Sequence, residues 1–162
     1  MKTLPAVVII SALLGVGQAR GDEVKVLGQA VWPARLEGEK SDKGPRLRAV
    51  RGDGELLDAL GLPGDSRSQL QIERMLTDAF QVKSVDFGKR MLLLVDPGKE
   101  KEPDGTAVEI TKVETDKDGK TMRVHWKLRQ PQKNTVKGQR QAMTVLLLER
   151  FDGKVVLQPA EK

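Results

Sequence analysis

The chain has no cysteine and no tyrosine, one histidine, two tryptophans and three phenylalanines in 162 residues. Without thiols there are no disulfides, no thiolate nucleophile and no thiolate metal site. With so few aromatics, and with acids and bases interleaved rather than clustered, there is no basic stripe and stacking platform of the kind that holds nucleic acid. A lone histidine needs a nucleophile within hydrogen-bond reach to act as a base, and no serine or threonine here stands in such a context. Neither sign of charge dominates: 28 Lys and Arg oppose 23 Asp and Glu. No apolar run reaches the roughly 20 residues that span a bilayer.

What is present starts with MKTLPAVVIISALLGVGQARGDE. One base, Lys2, precedes an apolar run from Leu4 to Val16, and small residues follow up to Ala19-Arg20-Gly21. This layout predicts a signal peptide over 1–21, cut after Gly21, and an exported protein, periplasmic or extracellular, with no stable membrane span after cleavage. The alternative is an uncleaved anchor. Removing Lys2 and Arg20 leaves 26 bases against 23 acids, a mild +3. A mature chain of about 140 residues is one domain and buries enough surface to need no covalent staple.

Residues 22–45 read as an N-terminal strand and flexible arm: Val24-Lys25-Val26 and Ala30-Val31-Trp32, then the charged EGEKSDKGP. RLRAVRG (46–52) suggests a short strand. Asp53 is placed to cap a helix over DGELLDALG that stops at Gly61 and Pro63. Ser68 and Gln71 stand at capping-box spacing, and Ile72, Met75, Leu76, Ala79 and Phe80 recur on one helical face.

The stretch SVDFGKRMLLLVD (84–96) holds an unbroken apolar run, Met91 to Val95, expected of a strand covered on both faces. Asp86 suits the turn before it, and Phe87 the space between helix and sheet. TAVEITKVET (106–115) and GKTMRVHWKLRQ (119–130) flank Asp116-Lys117-Asp118-Gly119, a hairpin signal. Matching apolar faces pairs Val113 with Met122, Ile110 with Trp126 and Val108 with Leu128, which requires a bulge at Thr111-Lys112, opposite Val124. Glu109 then faces Lys127. QRQAMTVLLLERF (139–151) is a second doubly covered strand, and KVVLQP a final edge. The expected fold is α+β, two N-terminal helices packed on a curled, mainly antiparallel sheet, as a single domain over 46–160.

Few residues invite chemistry. Asp116 to Gly119 has the start of a calcium loop without its further ligands. Glu100, Glu102 and Asp104 sit among lysines, as in a solvated loop. Arg51-Gly52-Asp53 spells an adhesion tripeptide whose Asp53 is already explained as a cap. Asp86 and Asp96 fall at the two ends of one strand, roughly 30 Å apart at about 3.3 Å per residue, too far for a catalytic dyad. His125 lies on a polar strand face with Arg123, Lys127 and Arg129, and this cationic stripe is the candidate partner-binding face, suited to an anionic patch on another envelope protein. The residues thus lead us to expect no enzyme, no cofactor and no metal.

With VDFGKRMLLLV, GTAVEITKVE, KTMRVHWKLRQP and TVLLLERFDGKVV in this order, the chain resembles the C-terminal domain of the protease-complex-stabilising (PrcB-like) envelope proteins over residues 46 to 158 or so. It departs from them in the charged loop GKEKEPDGTAV, which lacks an aromatic, in Met143-Thr144-Val145, which lacks a proline, and in having no lipid-bearing cysteine. The resemblance implies a bacterial source and an exported, non-catalytic interaction or stabilising module for an envelope protein such as a protease. The other reading is a glycan- or small-molecule-binding domain.

Overall fold

A computed structural model describes residues 21–38, 44–98, 106–129 and 142–161. The elements run β1 (Val26–Trp32), β2 (Arg46–Val50), α1 (Asp53–Leu60), α2 (Ser66–Phe80), β3 (Arg90–Asp96), β4 (Ala107–Thr115), β5 (Thr121–Arg129), β6 (Met143–Glu149) and β7 (Lys154–Pro159). The class is α+β, but two details differ from expectation. The helices follow two strands rather than opening the domain, and the strands form two sheets rather than one curled sheet. One sheet has the order β1-β6-β3-β2 and the other β4-β5-β7.

The physical reason lies in β3 and β6, which are apolar on both sides and pair with each other at the centre of the larger sheet. Each side therefore needs its own cover. On one side Leu92, Leu94, Val145 and Leu147 meet Leu56 of α1, Leu76 of α2 and Trp32. On the other side Met91, Leu93, Leu146 and Leu148 meet Val113, Met122 and Val124 of the smaller sheet. The result is three layers: helices, four strands, three strands. Each fully buried leucine in the middle layer contributes about 1.5–3 kcal/mol of transfer free energy.

The helix ends refine the sequence reading. Gly52, not Asp53, is the N-cap of α1 and makes no side-chain cap; Asp53 and Glu55 lie in the first turn, where negative charge suits the helix dipole. The Arg51 N–H donates to Glu55 Oε2 at 2.7 Å. Gly61 ends the helix with φ 62°, a left-handed turn that glycine adopts without strain. The cap of α2 is Asp65, which accepts the Ser68 N–H at 2.8 Å. Ser68 is thus the donor at the third helical position, and the helix begins at Ser66, ahead of the expected start. Ile72, Met75, Leu76, Ala79 and Phe80 all pack on the helix-side core, as the periodicity predicts.

Asp86 does turn the chain into β3. Its carboxylate accepts the Gly88 N–H at 3.0 Å, and its carbonyl accepts from Lys89 and Arg90. Phe87 packs on the helix-side core. In the hairpin, Ile110 pairs with Trp126, Val108 with Leu128 and Glu109 with Lys127, and the register shifts at Thr111; the bulge falls on the expected residues of β4 but opposite His125 rather than Val124. Nearer the turn Val113 faces Val124, and Thr115 faces Met122, so the expected Val113–Met122 pair is wrong. That pair would need a two-residue turn at Lys117-Asp118, with left-handed backbone at two non-glycine residues. The chain instead gives the left-handed conformation to Gly119, at φ 66°. Between Glu149 and Lys154 the chain crosses to the other sheet, where β7 pairs with β5 in parallel. Arg51 braces this crossing, donating to the carbonyls of Phe151 and Gly153 at 2.8 and 2.9 Å.

Candidate functional site

The four residues of the predicted stripe do share the outer face of β5, but three of them are compensated. Arg123 Nε lies 2.8 Å from Asp116 Oδ1, and Lys127 Nζ 3.1 Å from Glu109 Oε1. His125 Nε2 is 2.8 Å from Glu114 Oε1. A carboxylate only accepts, so Nε2 carries the hydrogen. Glu114 also pairs with Lys112. The Lys112 hydrogen bond, helped by His125 and opposed by partial burial, holds the Glu114 carboxyl below its ordinary value. The His125 side chain is only 14% exposed, not an open strand histidine. Arg129 is exposed and has no ion partner among the described residues. The cationic stripe is therefore a row of ion pairs with one open base at its end.

Strand β1 carries the more unusual surface. Ala30 and Trp32 pack toward the helices, and Gly28 lies under Phe80, whose ring leaves no room for a Cβ. By alternation Gln29 and Val31 point the other way. They pair with Leu146 and Thr144 of β6, on the side that the smaller sheet covers. That sheet stops short of them. Its edge strand β4 sits over β6, where Thr144 Oγ1 donates to the Val108 carbonyl at 2.6 Å. Among the described residues nothing pairs beyond β1, and Val26, Leu27 and Val31 are 37%, 37% and 51% exposed.

The other sheet edges carry the devices that discourage edge pairing. Strand β2 holds Arg46 and Arg48, and β7 holds Lys154 and Pro159. Strand β4 is partly covered by residues 22–24: Val24 N–H donates to the Val113 carbonyl and Thr115 N–H to the Asp22 carbonyl, both at 2.9 Å. Strand β1, VLGQAVW, has neither charge nor proline. The uncharged run was the available signal.

A second feature missed in sequence is the environment of Asp96, which is fully buried. Its carboxylate accepts from Arg35 Nε at 2.8 Å, Arg35 Nη2 at 3.1 Å, Leu36 N–H at 3.0 Å and Gly98 N–H at 2.7 Å. Arg46 Nη2 stands 3.4 Å away and donates to the Leu36 carbonyl at 2.7 Å. Burial pushes the Asp96 carboxyl up, but the Arg35 hydrogen bond, the two N–H donors and the Arg35 charge outweigh it and hold the pKa below its ordinary value. Every acceptor direction is used to fix the segment after β1 onto the ends of β2 and β3, so the group is a structural clamp.

The remaining candidates resolve simply. Asp116 to Gly119 is a turn, closed by Gly119 N–H on the Asp116 carbonyl at 2.8 Å. Among the described residues no three His, Cys, Asp or Glu side chains come together as metal ligands. Glu100, Glu102 and Asp104 lie outside the described residues. A cleft of about 270 Å³ separates α1 from α2, with Leu56, Ile72 and Leu76 on its floor and Asp53, Glu73 and Lys83 at its rim. Neither tryptophan lines it.

Compared with protein-family models, with curated proteins and with solved structures, the chain finds no match in any of the three.

Proposed function

We propose that the protein is an exported, non-catalytic module that binds another protein of the bacterial envelope, with a protease as the candidate the PrcB-like resemblance suggests. The observation that carries this reading is the open, uncharged strand β1, with Val26, Leu27 and Val31 on the surface of one strand. Exposed aliphatics grouped beside free backbone groups favour a protein partner. Docking is apolar in this reading, because the stripe of Arg123, His125 and Lys127 is already neutralised by its own carboxylates. The test is affinity capture from the native envelope with the tagged mature chain. Wild type should recover a defined partner, and Val31→Asp should recover at least tenfold less while melting at the same temperature. Equal recovery by the two would refute the reading.

The alternative, a glycan- or small-molecule-binding domain, has the α1–α2 cleft as its seat. The aliphatic floor of that cleft suits an apolar ligand better than a sugar, since no aromatic ring lines it.

A further inference from the structure

The helix layer differs in charge from the rest of the chain. Residues 53–80, which hold α1, α2 and the turn between them, carry six carboxylates and only two bases, Arg67 and Arg74, in a mature chain whose bases exceed its acids by three. The layer is an acidic face on a mildly basic protein. The cleft of about 270 Å³ between α1 and α2 opens in this face, and all of its lining residues fall within the unbroken described run 44–98. Leu56 and Leu76, both buried in the helix-side core, form its floor with the half-buried Ile72. Its rim is charged from three elements: Asp53 in the first turn of α1, Glu73 midway along α2, and Lys83 in the segment after α2. Among the described residues none of these three side chains enters an ion pair or a hydrogen bond. On the outer face of β5, by contrast, Arg123, His125 and Lys127 each have a carboxylate of their own. The cleft thus leaves two carboxylates uncompensated on opposite walls of an apolar hollow, with one base beside them.

We infer that the cleft binds a small organic cation, an ammonium group carried on an aliphatic or aromatic body. The body covers Leu56, Ile72 and Leu76, and the ammonium group sits between Asp53 and Glu73. Low-dielectric walls lined by one predominant sign of charge focus the field into the hollow, and here the acidic layer around it adds to that field. The volume lies just under the roughly 300–1,000 Å³ of sites for drug-sized ligands, so the occupant is a small amine. A neutral sugar would leave both carboxylates unmatched and find no aromatic ring to stack on. An anionic ligand could pair with Lys83 but would meet two like charges. Lys83 opposes the amine as well, which gives the inference a sign to test: removing that base should tighten binding. The inference deepens the ligand-binding reading of the cleft and is independent of partner docking at β1.

The test titrates the mature protein with hexylammonium, hexanol and hexanoate, which share one apolar body and differ in the charge of the head group, and with methylammonium, which lacks the body. Amide chemical shifts report the site. Hexylammonium should saturate at low millimolar concentration, as suits a ligand of few atoms, and should shift residues of the cleft such as Leu56, Ile72 and Ser84. Hexanoate should bind at least about tenfold more weakly, with hexanol between the two, and methylammonium should not saturate. Asp53→Asn/Glu73→Gln should abolish the preference for the amine over the alcohol, and Lys83→Gln should tighten the amine about two- to threefold. Hexanol bound in the cleft as tightly as hexylammonium, or an amine preference that survives in the double variant, would overturn the charge class while leaving a ligand site in place. No saturation with hexylammonium below about 10 mM, or shifts confined to another surface, would remove the site as well. None of these results bears on capture of an envelope partner through β1, which Val31→Asp tests separately.

Discussion

Arg35 and Asp96, 61 residues apart in sequence, meet through two hydrogen bonds of 2.8 and 3.1 Å in which the carboxylate is fully buried and the guanidinium partly exposed. The pair closes the segment after β1 onto the end of the central strand β3. Removing one partner of a buried ion pair leaves the other charge unmatched and costs about 3–5 kcal/mol. Because the Arg35 side chain is 35% exposed, water recovers part of that. Asp96→Ala should therefore lose about 3 kcal/mol in a urea titration, the low end of that range.

The same carboxylate sets an acid limit. Asp96 and Glu114 both have folded pKa values below their ordinary ones, so the unfolded chain binds protons more readily than the folded one. Their stabilisation is fully present above the unfolded carboxyl range near 4 and drains as pH falls through the depressed folded values. The urea midpoint of wild type should hold from pH 7 to about 5 and fall steeply below 4. In Asp96→Asn the fall should be shallower, and an unchanged slope would show that Asp96 does not drive it.

The close approach of β1 to α2 gives a packing test. A Cβ on Gly28 would stand 2.7 Å from Phe80 Cδ1. Gly28→Val should cost about 1–3 kcal/mol by overpacking. Truncating the ring in Gly28→Val/Phe80→Ala should recover part of the combined loss, so that a double-mutant cycle shows coupling. Strict additivity would place the ring elsewhere.

What the sequence made legible was whatever a residue's own neighbours decide. The unbroken apolar runs of β3 and β6 announced cover on both faces, the face of α2 followed from its spacing, and the pairs beyond the bulge, Ile110–Trp126 and Val108–Leu128, followed from matching two alternating strands. What stayed hidden depends on distant partners. Nothing in KVVLQP says that it leaves the sheet of β6 and lies parallel to β5, because that choice is made at a crossing held by Arg51, about a hundred residues upstream. Asp96 reads as an ordinary strand-end acid until Arg35 is beside it. Of the carboxylates that neutralise the stripe, Glu109 was legible from the hairpin register, but Asp116 and Glu114 were not, because their pairing with Arg123 and His125 depends on the turn and on the register nearest to it.

Export makes a prediction of mass. Protein recovered from its native host should lack residues 1–21. A cut after Gly21 leaves Asp22 and Val24 in place to pair with Thr115 and Val113, so the processed chain should melt as a single transition. Intact-mass analysis that finds only the full-length chain would contradict export.

The most direct test of the account is the salt dependence of envelope capture, compared across wild type, Lys127→Glu and Val31→Asp. Raising salt from 0.1 M to 1 M shortens the Debye length from about 10 Å to 3 Å, which suppresses attraction between exposed charges but not apolar contact or strand pairing. Apolar docking at β1 predicts that wild type and Lys127→Glu capture the partner equally and hold it at 1 M salt, while Val31→Asp loses it at both salt levels. Capture that disappears at 1 M salt or in Lys127→Glu, yet survives Val31→Asp, would return the binding face to the charged stripe and contradict the account.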